Sequence, residues 1–150
     1  MDGTPNKIRG TIPSQFGNLT ELRILDLDEN GLSGTIPEEI YNLTKLEQLD
    51  FDSNELTGTI STMIGSLINL EFLQLFSNPM IGTIPVEMGL LTSLERVGLH
   101  DMDLTGSVPS ELCDNRVPDG NILYLWTDCG SSPTVPIPQV ECDCCDFCLV

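Results

Sequence analysis

Leu19-Thr-Glu-Leu-Arg-Ile-Leu25-Asp-Leu27-Asp-Glu-Asn30-Gly-Leu32-Ser-Gly34-Thr-Ile36-Pro37-Glu-Glu-Ile-Tyr-Asn42 is one turn of a repeat. Its landmarks return every 24 residues in both directions. Gly34 belongs to the series Gly10, Gly34, Gly58, Gly82 and Gly106. Ile36 belongs to Ile12, Ile36, Ile60, Ile84 and Val108, and Pro37 to Pro13, Pro37, Ser61, Pro85 and Pro109. Leu25 recurs as Leu49, Leu73 and Val97, and Leu27 as Phe51, Leu75 and Leu99. Asn30 lies in the column Asn6, Asn30, Asn54 and Asn78, which Met102 breaks. Agreement across so many columns makes the repeat the organising fact of the chain.

Each column has a physical reading. The Leu25-x-Leu27 alternation makes a short strand with one face in the core. Stacked copies then form a parallel sheet with rungs about 4.8 Å apart. One copy cannot bury its own apolar face, so stability resides in the neighbour interfaces. The Asn amide turns the chain after each strand and bonds backbone groups that otherwise lie buried and unpaired, at about 1–3 kcal/mol each. Met102 cannot do this, so a local irregularity is expected there. The Gly column suits a tight bend or close backbone approach. Proline disfavours the α region at the residue before it, so Ile-Pro is extended and leads into a short helical turn. Ser61 in the proline column is expected to matter little.

The segment Leu32-x-Gly34-x-Ile36-Pro37 resembles the leucine-rich repeat in its plant-type 24-residue class. The resemblance covers residues 6–112 closely and 122–129 more loosely. It implies an α/β right-handed leucine-rich repeat solenoid. Short parallel β-strands would line the concave face, and short helical turns and loops the convex face. The expected division is 1–112 for the repeats and 113–150 for the last strand and a cysteine-rich cap. By the 24-residue step, Met1 and Gly3 fall where Leu25 and Leu27 would be, so the first strand is degraded or absent. A solenoid needs a capping unit with a polar outer face. The chain is therefore expected to be a fragment, or to begin at an internal Met. After Cys113 the step gains two residues, which places Leu123 and Leu125 in the core columns and makes residues 122–126 the last strand.

All six Cys follow residue 112. They read as disulfides, which stabilise a tail of little core by restricting its unfolded ensemble. Cys113 with Cys129 is expected, because both flank the last strand. Cys142, Cys144, Cys145 and Cys148 would supply the other bonds. The spacing C-x-C-C-x-x-C lacks the paired knuckles of a zinc site, so no metal is expected. Disulfides imply an oxidising compartment, extracellular or at the cell surface. Asn18-Leu-Thr20 and Asn42-Leu-Thr44 are glycosylation sequons on the convex or lateral side.

The candidate binding surface is the concave face. Its expected ladders are Asp28, Asp52, Phe76, His100 and Trp126; Asp26, Asp50, Gln74, Gly98 and Tyr124; Ile24, Gln48, Phe72, Arg96 and Ile122; and Glu29, Ser53, Ser77, Asp101 and Thr127. The acids Asp26, Asp28, Asp50 and Asp52 cluster at one end. Phe72, Phe76, Tyr124 and Trp126 cluster at the other, with His100 between. Clustered aromatics anchor interfaces and clustered acids steer a basic partner. No defined loop for Ca²⁺ appears among those acids. A second regular array, Thr11, Thr35, Thr59, Thr83 and Ser107, looks like the flat threonine ladder of some ice-binding solenoids.

Charge and composition exclude several classes. The 150 residues carry 6 Lys+Arg against 23 Asp+Glu, a net charge of −17. Nothing here neutralises a phosphate backbone or favours an anionic membrane surface. With 40% apolar residues the chain is too hydrophobic for disorder. No stretch of about 20 apolar residues exists for a membrane span, and Met-Asp-Gly-Thr-Pro-Asn is not a signal peptide. His100 is the one His, and no Gly-x-Ser-x-Gly or P-loop occurs. The expected function is non-enzymatic recognition of a protein or peptide ligand, basic in character, with no cofactor. The family resemblance implies part of a cell-surface receptor-like protein with a signalling role. It also admits a secreted polygalacturonase-inhibitor-like protein and, more remotely, an ice-binding or structural solenoid. The oligomeric state is not legible.

Overall fold

A computed structural model describes residues 8–128 and 140–148, with backbone alone at 147–148. Met1, Gly3, Asn6, Cys129 and the Pro-rich stretch 130–139 lie outside these residues, as does the Cys148 side chain. The chain forms a leucine-rich repeat solenoid. Its main sheet is parallel and six-stranded, in the order Ile24–Asp26, Gln48–Asp50, Phe72–Gln74, Arg96–Leu99, Tyr124–Thr127 and Phe147–Cys148. Leu25, Leu49 and Leu73 align with Val97 and Leu125 across successive rungs. These positions are buried, and so are Phe51, Leu75 and Leu99 beside them.

Smaller sheets flank this one. Arg9–Gly10, Gly31–Gly34 and Glu55–Leu56 pair in one of them. Ile81–Gly82 pairs with Asp103–Leu104, and Gly106–Ser107 with Val140–Glu141. The far side carries 3-10 turns at Ser14–Asn18, Glu38–Asn42, Thr62–Ser66 and Val86–Leu90, then one α turn at Ser110–Cys113. Pro13, Pro37, Pro85 and Pro109 stand extended before their turns. Ser61, in place of proline, caps its turn by accepting from the Met63 N–H at 3.2 Å and donates to Glu38 at 2.9 Å.

The asparagine column joins coil to coil. Asn54 shares its two amide protons among the carbonyls of Phe51 and Asp52 in its own turn and Leu27 in the preceding coil, at 3.0–3.1 Å. Its Oδ1 accepts the Leu32 N–H at 2.9 Å. Asn78 repeats the pattern with Leu75, Phe76, Phe51 and the Leu56 N–H. Met102 breaks it, as expected. The Met80 N–H turns back to the Asn78 carbonyl at 2.8 Å. Asp128 instead accepts the N–H groups of Asp101 and Met102 at 2.7 and 2.8 Å.

The glycine column has two causes. Gly34, Gly58, Gly82 and Gly106 adopt φ of 78–92°, which a side chain disfavours. A Cβ on Gly58 would also stand 2.8 Å from the Thr35 methyl, and the other three meet Thr11, Thr59 and Thr83 in the same way. Each threonine of the regular array thus packs its methyl over the glycine of the next coil.

The C-terminal end corrects three expectations. The step there is 28 residues rather than 26, because Tyr124 aligns with Arg96 and Trp126 with Gly98. Ile122 is accordingly buried where Leu94 lies one coil earlier, and Leu123 is 45% exposed. The two-residue error kept the strand's faces correct, since side chains alternate with period two. Tyr124–Thr127 is also not the last strand, because Phe147–Cys148 adds a parallel neighbour. Finally, Cys113 bonds Cys144, not Cys129, and Cys142 bonds Cys145. The chain returns through Val140–Glu141 to pair with Gly106–Ser107, which brings the tail cysteines back to the Ser110–Cys113 turn. Asp146 secures this return. It accepts from both terminal nitrogens of the Arg116 guanidinium at 2.5 Å and from the Leu125 N–H at 2.7 Å.

Asn54→Ala is expected to cost about 2–4 kcal/mol, because it strands buried backbone groups in two coils. Gly58→Ala is expected to cost about 1–3 kcal/mol through strain and the Thr35 contact. Chemical denaturation reads both. A cost below about 0.5 kcal/mol for Asn54→Ala contradicts the ladder's role.

Candidate ligand-binding face

The strand register turns the outward residues into a lattice of three rows. One row is Ile24, Gln48, Phe72, Arg96 and Tyr124. The next is Asp26, Asp50, Gln74, Gly98 and Trp126. The third lies two residues further on in each strand: Asp28, Asp52, Phe76, His100 and Asp128. The expected rows therefore hold through Arg96, Gly98 and His100. They slip at the fifth rung, where Trp126 faces Gly98 rather than His100 and Tyr124 faces Arg96 rather than Gly98. Ile122 leaves the face for the core. The fourth expected ladder is not part of the sheet surface. Glu29, Ser53, Ser77 and Asp101 take φ of 50–54° and turn the chain, and Thr127 is fully buried. The Thr127 hydroxyl contacts Cys145 Sγ at 3.2 Å.

The aromatic end holds two stacked groups. Phe76 and His100 lie parallel with ring centroids 4.4 Å apart. Tyr124 and Trp126 stack at 5.3 Å. Arg96 sits between Phe72 and Tyr124, 5.4 and 5.8 Å from the two ring centres. Sequence reasoning kept these aromatics but passed over Arg96. Its signal was its position beside Phe72, visible once the columns are written out. His100 Nδ1 is buried without a hydrogen-bond partner, and burial lowers the imidazole pKa from its ordinary value. At neutral pH this ring is an uncharged π surface.

The acidic end is less exposed than its composition suggests. Asp26 and Asp28 are open to solvent, Asp50 is half-buried and Asp52 is only 8% exposed. Burial, then the hydrogen bond and charge of Asp52, push the Asp50 carboxyl up to about 7. Burial and neighbouring Asp26 also raise Asp28. The negative charge of this corner therefore grows as pH rises through neutrality. Among the described residues, no group of three His, Cys, Asp or Glu side chains is placed to hold a metal ion. No helix there is long and apolar enough to cross a membrane. Asn18 and Asn42, the sequon asparagines, are exposed at the ends of two 3-10 turns.

A family model for the leucine rich repeat matches residues 4–56 and 20–80. The chain belongs to the leucine-rich repeat family. Among solved structures, the plant peptide hormone receptor RGFR1 in complex with RGF2 is 37% identical, with a TM-score of 0.76 over 85% of this chain and 20% of the receptor chain. The ectodomain of the Arabidopsis thaliana receptor kinase SOBIR1 is 26% identical, with a TM-score of 0.77 over 91% of this chain and 68% of that one. A plant ice-binding protein is 26% identical, with a TM-score of 0.70 over 91% of this chain and 42% of that one. This chain thus spans about a fifth of the RGFR1 chain it matches. No curated protein matches the sequence.

Asp50 generates a pH prediction. Its carboxyl binds a proton more tightly folded (about 7) than at its ordinary value of 3.8. As pH climbs between those values, the unfolded chain ionises first and the fold loses stability. Half-exposure screens much of this, leaving roughly 1 kcal/mol, or about 2–4 °C in Tm. Asp50→Asn is expected to melt that much higher at pH 8 and to match wild type at pH 3.5. Melting curves at the two pH values check it. An equal offset at both contradicts the raised pKa.

Proposed function

We propose that the concave sheet is a non-enzymatic recognition surface for a protein or peptide, in a receptor-like protein of the cell surface or extracellular space. The observation that carries this reading is the stack of Phe72, Arg96, Tyr124 and Trp126 on the outer face of an open sheet. Side chains so arranged have little freedom left to lose on binding, which favours affinity. Asp26, Asp28 and Asp50 lie on the two rungs before Phe72 and attract basic groups of the same ligand. The Cys113–Cys144 and Cys142–Cys145 disulfides support an oxidising compartment. Glycans at Asn18 and Asn42, on the convex turns, leave the concave face free. The likeness to a peptide hormone receptor supports the ligand class.

The test is capture from an extracellular peptide library by the immobilised chain. Phe76→Ala with Trp126→Ala is expected to weaken retained peptides at least tenfold, and Asp26→Asn with Asp28→Asn to slow association and reduce its salt dependence. Unchanged capture by both double variants removes the concave face from the function.

A second reading has its own observation. Thr11, Thr35, Thr59, Thr83 and Ser107 are all exposed, and the glycine contacts fix four methyls alike. The likeness to a plant ice-binding protein supports this face as an ice surface. That function requires thermal hysteresis which Thr35→Asp or Thr59→Asp abolishes. Freezing-point osmometry measures it, and absence of hysteresis in the wild-type chain ends this reading.

A further inference from the structure

We propose that Gly98 is the floor of a notch that takes an aromatic side chain of a peptide ligand, and that Gln74 plugs this notch in the free protein. The inference rests on the concave face being a peptide-recognition surface and specifies one subsite of it.

Gly98 is the one position in the three outward rows without a side chain, and it lies inside the Arg96–Leu99 strand. Its backbone needs no glycine, because Gly98 is absent from the glycines of positive φ. Glycine within a strand weakens it by roughly 0.5–1 kcal/mol and commonly marks close approach by a ligand or another chain. The other glycines of the repeat columns have conformational reasons, and this one does not.

The space over Gly98 is filled by a group that can leave. A Cβ built there would stand 2.2 Å from Gln74 Oε1, so the carboxamide lies on the glycine. Among the described residues, the Gln74 amide makes no side-chain hydrogen bond that would hold it. It is the far end of a flexible chain, and swinging it to solvent uncovers the Gly98 backbone between the Gln74 and Trp126 rungs, whose strand axes lie roughly 10 Å apart.

The walls choose the guest. Phe76 and His100 stack on one side, and Phe76 Cδ1 already reaches within 3.1 Å of the Cβ position. Arg96 and Tyr124 stand on the other side, and Trp126 closes the end. Ring faces and edges, an uncharged imidazole and a guanidinium suit a flat π system through stacking and cation–π contact. An ammonium would meet Arg96, and a branched aliphatic chain would forgo the stacking.

Trp126 is the single Trp of the chain and sits at the notch, so its emission reports occupancy. The probe is N-acetyl-phenylalaninamide, compared with N-acetyl-leucinamide and N-acetyl-lysinamide. The phenyl probe is expected to shift Trp126 emission saturably and at least about tenfold more tightly than the other two. Gln74→Ala, which removes the plug, is expected to tighten it about threefold or more. Gly98→Leu fills the notch and is expected to abolish the shift. Gly98→Ala, the milder change, is expected to weaken it about tenfold with unchanged melting. No saturable shift, equal affinity for the leucine probe, or wild-type binding by folded Gly98→Ala each overturns the notch. Peptide capture that persists while the phenyl probe fails overturns the notch alone. Phenyl binding without peptide capture overturns the peptide reading instead.

Discussion

The buried carboxamides of Asn54 and Asn78 are the constraint on which the solenoid rests. Each closes its own turn and bonds the coil before it, so one side chain satisfies polar groups that two coils leave unpaired. A leucine face attracts a neighbour without fixing its rotation. The amide fixes it, because its donors and acceptor reach their partners in one register only. Once neighbouring coils are locked, strand spacing and the outward lattice follow.

Where the amide ladder stops, carboxylates take over. Asp128 accepts the N–H groups of Asp101 and Met102, and Asp146 those of Leu125 and the Arg116 guanidinium. Arg116 holds the Asp146 carboxyl below its ordinary range, aided by the Leu125 N–H. Its contribution is thus present at neutral pH and lost as pH falls toward the carboxylate range. Asp50 shows the opposite environment on the same sheet. Burial beside like charge raises its pKa, so it opposes the fold as pH rises. One residue type stabilises an end and strains a face, according to which charge it meets.

The concave face divides along the solenoid axis. Its first two rungs carry the acids, and the next three carry stacked rings around Arg96. A ligand lying across the strands meets both in a fixed order, about 4.8 Å per rung. Gly98 interrupts the second row where the rings are densest, and Gln74 bends to cover it.

The 24-residue columns were enough to read the family, the concave strands, the irregularity at Met102 and the rows from Asp26 to His100. Those features repeat, and each depends on local spacing and the identity of one residue per coil. The burial of Asp52 was not legible, since its column marks a face and not a depth. Nor was the turn conformation of Glu29, Ser53, Ser77 and Asp101, which a strand-based column count extends one residue too far. Gly98 and Arg96 were in plain view in the columns, but only their neighbours give them meaning. At the C-terminal end the repeat lapses, and sequence spacing no longer reports spatial order. The four-residue insertion, the partner of Cys113, the added strand at Phe147–Cys148 and the seating of Trp126 beside Gly98 were decided there by the chain folding back on itself. The sequence by itself determined the coil and the face its side chains share. Only the tertiary structure decided which of those side chains meet, because contacts across a non-repeating end depend on the path of the chain rather than on its period.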